Sequence, residues 1–143
     1  MARVSTYLNF QGQAEEAFGF YASAFGTELS GTFHRFGDMP ADPAAPPLSE
    51  AEREMVLHAE LPILGGHVLM ATDLLESMGQ ERRIGNNVTI NLELDSREDA
   101  DCLFAGLSHG ATDAVGMQEM FWGAYWGTCL DRFGVRWMFN CPR

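Results

Sequence analysis

The chain has 143 residues, 46% of them hydrophobic and 20% charged, and nine Lys and Arg against 20 Asp and Glu give a formal net charge of -11. That length suits a single domain, residues 1–143, burying roughly 68% of its unfolded surface without disulfide or metal staples. The acidic excess repels phosphate backbones and excludes nucleic acid as a partner, no apolar run approaches the ~20 residues of a membrane span, and MARVSTYLNF lacks a secretory pattern, so the cytoplasm is the expected compartment.

In chain order, residues 4–10 read as a strand. Residues 13–25 follow as a helix, with Ala14, Ala17, Phe18, Tyr21 and Phe25 at helical spacing and Gly26 as its stop. A second strand over residues 28–36 runs into DMPADPAAPP, whose prolines hold neither ladder nor helix and predict an exposed, mobile loop. Ser49 and Glu52 form a capping-box pattern for a short helical turn before a strand over residues 55–61. The ILGG turn then returns the chain into a strand over residues 68–73.

Residues 74–86, LLESMGQERRIGN, carry no sustained period and read as a connector between module 1 (about 1–73) and module 2 (about 87–143). Beyond it, Val88, Ile90, Leu92 and Leu94 alternate with polar residues, the pattern of a strand with one apolar face. Ser96 caps a helix bearing Ala100, Leu103, Phe104 and Leu107 on one side, with Gly110 as its stop. Strands over residues 113–120, 122–131 and 135–141 complete the second half.

The order strand, helix, three strands thus occurs twice. EEAFGFY and EDADCLF align with an offset of 83, which also places Thr6 opposite Thr89; GHVLM and GVRWM align with an offset of 68. A duplicated βαβββ unit predicts an α+β fold in which each curved sheet carries its helix outside and the inner faces form a concave cup.

Cys102, Cys129 and Cys141 are an odd set without CxxC spacing, which argues against both a disulfide framework and a zinc knuckle. No GxSxG nucleophile motif and no phosphate-cradling glycine pattern occurs.

YLNFQGQAEEAFGFYASAFG, HAELPILGGHVLMATD and MFWGAYWGTCLDRFGVRWMFN, taken in this order, resemble the vicinal-oxygen-chelate superfamily (glyoxalase, bleomycin resistance, extradiol dioxygenase) and, within it, the PhnB-like branch. The resemblance implies paired βαβββ modules and a homodimer completing its cups across subunits. Members of this branch often carry a demethylubiquinone methyltransferase label, but no methyl-donor-binding glycine motif is present here. Metal members place His or Glu on the first and fourth strands of each module. On this chain the family pattern puts those slots at Thr6, Met70, Thr89 and Met138, and thioethers and hydroxyls are poor ligands for hard divalent ions. The neighbours Tyr7, Leu69, Val88, Ile90, Trp137 and Phe139 are no better, so neither metal nor cofactor is expected.

The remaining candidates are read by strand parity. The ILGG turn sets His58 opposite Met70, where it is either a pocket base or a structurally bonded histidine. Asn91 and Asn140 return to the face of Thr89 and Met138 and either orient a polar ligand or bond to backbone. Trp122 and Trp126, four apart, share a face that suits either a pocket wall or packing. These residues lead to the expectation of a metal-free small-molecule-binding protein, possible sequestration of a cationic ligand by its acidic cup included. The alternative is a superfamily enzyme, either a metal-dependent isomerase, lyase or similar with an unrecognised site, or a metal-free catalyst using His58.

Overall fold

A computed structural model describes residues 1–142. The chain divides into two compact units, Met1–Arg83 and Ile84–Arg143, so the connector anticipated over residues 74–86 is shared between them.

The first unit begins with β1 (Thr6–Phe10), α1 (Ala14–Phe25) and β2 (His34–Arg35), passes through a 3-10 turn (Phe36–Asp38) and α2 (Glu50–Glu54), and ends with β3 (Val56–Pro62) and β4 (Val68–Asp73). The strands form one mixed sheet in the order β1-β4-β3-β2, with β1 parallel to β4 and the other pairs antiparallel. The helical period anticipated for residues 13–25 is fulfilled. Ala14, Ala17, Phe18 and Tyr21 are the buried stripe of α1, which lies against β3 and β4. Gly26 ends α1 in the left-handed region at φ 67, its N–H bonding the Ala22 carbonyl. The capping box is formed at α2, with Glu52 N–H donating to Ser49 Oγ at 3.1 Å and Ser49 N–H to Glu52 Oε1 at 3.1 Å.

β2 is far shorter than the strand anticipated over residues 28–36. Ser30 N–H reaches the Glu60 carbonyl at 2.9 Å, but Gly31 turns to φ 87, a shift of register separates His34 from Arg35, and Phe36 enters a 3-10 turn. β-propensity alone does not hold a ladder that glycine and a bulge interrupt.

The second unit contains β5 (Ile90–Glu93), α3 (Arg97–Leu107), β6 (Asp113–Glu119), β7 (Tyr125–Leu130) and β8 (Arg136–Cys141), in the sheet order β5-β8-β7-β6. β5 runs parallel to β8, and the other pairs are antiparallel, which repeats the topology of the first unit. Ser96 caps α3 as anticipated, accepting from Asp99 N–H at 3.1 Å. Ala100, Leu103 and Leu107 are its buried residues, and Trp137 and Phe139 are fully buried on the sheet face covered by α3, Phe139 meeting Phe104 edge to face at 5.3 Å. Burying each such side chain is worth about 1.5–3 kcal/mol, which makes these two layers the stabilising centre of each unit. Val88, anticipated on the apolar face of the strand, instead precedes β5 and is 72% exposed.

Candidate functional site

Each sheet has one face under its helix and one open face, and strand parity decides which side chains reach the latter. In β4, Leu69, Ala71 and Asp73 are buried while Met70 and Thr72 point the other way. β1 sets Tyr7 opposite Met70 and Asn9 opposite Thr72. β3 sets Glu60 opposite Met70, so His58 lies one pair further on, beside Thr72, rather than opposite Met70 as the turn had suggested. His34 pairs with His58. The His58 ring stands 6.0 Å from that of Tyr7, and its Nε2 lies 3.7 Å from Glu60 Oε1, which also has Arg3 Nη2 at 3.5 Å.

Thr6 is not part of this face. It pairs with Leu69, and its Oγ1 lies 2.8 Å from His67 Nε2. The reason is a single residue. The helix-start residues Gln13 and Ser96 are separated by 83 positions, whereas Tyr7 and Asn91, which face Met70 and Met138, are separated by 84. The first module has one more residue between β1 and its helix, accommodated by Gly12 at φ 84. Carrying the helix offset into the strand slips the register by one, and a one-residue slip exchanges the two faces. Tyr7, considered above only as a neighbour of the Thr6 slot, is the β1 residue on the open face, and the extra residue between β1 and α1 is the signal in the sequence that gives it.

In the second unit the open face carries Asn91 and Glu93 of β5, Met138 and Asn140 of β8, and Trp126 and Thr128 of β7, with Asn91 opposite Met138 and Trp126 opposite Asn140. Met138, Asn91, Asn140 and Trp126 are thus brought together as parity required. Thr89 lies just before β5 and borders a cavity of about 120 Å³ whose other walls include Asp113, Val115, Thr128 and Arg136. Arg136 Nε donates to the Gly85 carbonyl at 3.1 Å, which holds the guanidinium at that rim. Asn140 Oδ1 is buried and accepts no hydrogen bond.

Trp122 is a correction. It does not lie on β7 but in the turn after β6, 58% exposed and packed edge to face on Phe121 at 4.9 Å. Met120 N–H to the Ala124 carbonyl at 2.8 Å closes this turn, and Gly123 at φ 96 reverses the chain, so β7 starts at Tyr125. Trp122 and Trp126 therefore share no strand face.

The residues meeting across the first and last strands, Tyr7 with Met70 and Asn91 with Met138, are a phenol, an amide and two thioethers. This donor set does not fit a hard divalent cation. Cys129 is no nucleophile either: burial, and secondarily the charge of Asp131, push its thiol up to about 12.

No helix is long and apolar enough to cross a membrane, among the described residues. The chain is 28% identical over 142 residues to Protein YjdN of Escherichia coli, covering 96% of this chain and 93% of that protein. The crystal structure of protein PA1353 from Pseudomonas aeruginosa superposes with a TM-score of 0.81 at 31% identity, covering 99% of this chain and 98% of the other. The Bacillus cereus protein described as a putative 3-demethylubiquinone-9 3-methyltransferase, PhnB protein, has a TM-score of 0.75 at 22% identity over 98% of this chain and 99% of its own. A glyoxylase/bleomycin resistance protein/dioxygenase domain from Frankia shares the fold, with a TM-score of 0.64 at 14% identity over 100% and 93% of the two chains. The family described as 3-demethylubiquinone-9 3-methyltransferase matches residues 2–139, and the chain belongs to this PhnB-like family of the glyoxalase/bleomycin-resistance fold.

Proposed function

We propose that the protein binds a small organic molecule on its open sheet faces without a divalent cation at the superfamily's ligand positions. The observation that carries this reading is Asn140 Oδ1, a buried acceptor without a donor, next to Trp126 and Met138. Leaving such a group unpaired costs about 1–3 kcal/mol, which a bound N–H or O–H donor would recover. Trp126 supplies an aromatic surface for a flat ligand, and the net charge of -11 favours a cationic one, which is the basis for sequestration as the biological role. The family name does not contribute a methyl-transfer reaction to this reading, because chemistry belongs to sites rather than folds.

Calorimetric titration with cationic aromatic compounds tests it. Saturable binding weakened about tenfold by Asn140→Leu is the expected result, and no binding to any such compound by the wild-type protein overturns it. A thermal-shift screen with Mn, Ni, Zn and Mg, backed by elemental analysis, is expected to show neither stabilisation nor stoichiometric metal; a metal raising the melting temperature refutes the metal-free part. The homodimer implied by the family is part of the same proposal, and light scattering measures it directly.

A second reading, a superfamily enzyme with His58 as its base, is supported by the placing of His58 on the open face between Tyr7 and Glu60, whose Oε1 lies 3.7 Å from His58 Nε2. Any detected turnover that survives His58→Ala removes its base.

A further inference from the structure

The proline-rich segment anticipated as a loose loop lines a second cavity, half open to solvent, separate from the open sheet faces and lying wholly within the first unit. Its volume is about 470 Å³, and its walls include Phe36, Met39, Pro43, Pro46, Leu75 and Met78. That volume falls in the range of pockets that take small organic molecules, roughly 300–1,000 Å³.

The wall is built rather than slack. Each proline fixes its own φ, which reduces the conformational freedom the segment would lose on binding a ligand. Asp42 accepts Ala44 N–H on Oδ1 at 2.9 Å and Ala45 N–H on its carbonyl at 3.1 Å, which closes the loop on itself. At its base, a Cβ added to Gly37 would stand 3.0 Å from the Arg53 carbonyl oxygen, so loop and α2 are in close contact. Leu75, only 4% exposed, is held by its N–H bonding Gln80 Oε1 at 2.9 Å. Met39 and Met78, 49% and 58% exposed, flank the cavity with side chains that adapt to a ligand's outline.

The lining also indicates the ligand's charge. Its two charged residues are both engaged with backbone, Asp42 with Ala44 N–H and Arg53 through Nη2 with the Gly37 carbonyl at 3.2 Å. An anion entering the cavity would face a protein of net charge -11, and a cation would find its nearest carboxylate already accepting a bond. We infer that this cavity is a binding site for an uncharged, apolar organic molecule of drug-like size.

The test is fluorescence titration with N-phenyl-naphthylamine, an uncharged apolar dye, against anilinonaphthalene sulfonate, a similar ring system carrying an anion. The expected result is one saturable site for the neutral dye, with the sulfonate roughly tenfold weaker. Met39→Asp and Met78→Asp, both at exposed positions, are each expected to weaken the neutral dye about tenfold, while Met138→Asp in the second unit leaves it unchanged. No saturable binding, equal binding of the sulfonate, or loss of the dye in Met138→Asp alone would overturn the proposal.

Discussion

The two modules share a topology but not the means by which their corners are held. In the first, β4 ends in Asp73, whose Oδ1 accepts Gly12 and Ala14 N–H at 2.9 and 3.0 Å and whose Oδ2 accepts Val56 N–H at 2.9 Å. This remote carboxylate serves the start of α1, where Gln13 makes no side-chain cap. In the second, the matching strand end is Cys141 and the helix is capped locally by Ser96. The buried carboxylate is instead Asp131 in the turn before β8, accepting Phe133 and Val135 N–H on Oδ1 at 2.8 and 3.0 Å and Trp137 Nε1 on Oδ2 at 2.8 Å. The first module makes that turn with a Leu64–Gly66 3-10 segment and no carboxylate. Each unit spends one buried acid on three donors, at opposite ends of its final strand.

The largest effects should come from removing those acids. Asp131→Ala and Asp73→Ala each leave three N–H donors, two of them buried, without their acceptor, and each is expected to cost about 3 kcal/mol in urea unfolding. A loss below about 1 kcal/mol for either would show that water replaces the carboxylate.

A smaller contrast separates the helix starts. Ser96→Ala should cost about 1 kcal/mol, whereas Gln13→Ala should be close to neutral because Asp73 already satisfies Ala14 N–H. Equal effects at the two positions would contradict the division of labour described above.

Cys129 sharpens the difference under alkaline conditions. Burial pushes its thiol up to about 12 in the folded state, whereas in the unfolded chain the thiol ionises near the ordinary 9.0. The unfolded state therefore sheds the proton first, so stability falls as pH rises from about 9 towards 12, and Cys129→Ala should flatten that fall. By the same burial, a thiol reagent at neutral pH should label exposed Cys102 and spare Cys129 until the protein unfolds.

The smallest effect expected is at Trp122. Since it lies in an exposed turn, Trp122→Ala should leave stability within about 0.5 kcal/mol, unlike replacement of the fully buried Trp137.

What could be read from residue order alone was whatever short-range chemistry controls. The stripe of α1, the Gly26 stop, the Ser49 and Ser96 caps, β4 and the repeat of the βαβββ order all follow from periodicities and motifs spanning a few residues. The open-face placement of Met70, Asn91, Met138 and Asn140 followed too, because alternation within one strand is strict. Tertiary structure decided the rest. Which residue of β1 meets Met70 depends on the number of residues between strand and helix, and Gly12 shifts it from Thr6 to Tyr7. The truncation of β2, the turn that separates Trp122 from Trp126, and the three-donor roles of Asp73 and Asp131 likewise rest on partners distant in sequence or on how a loop closes. So does the cavity behind the prolines: composition identifies a segment that cannot form a ladder, but only the fold brings that segment to face Leu75 and Met78 across a cavity.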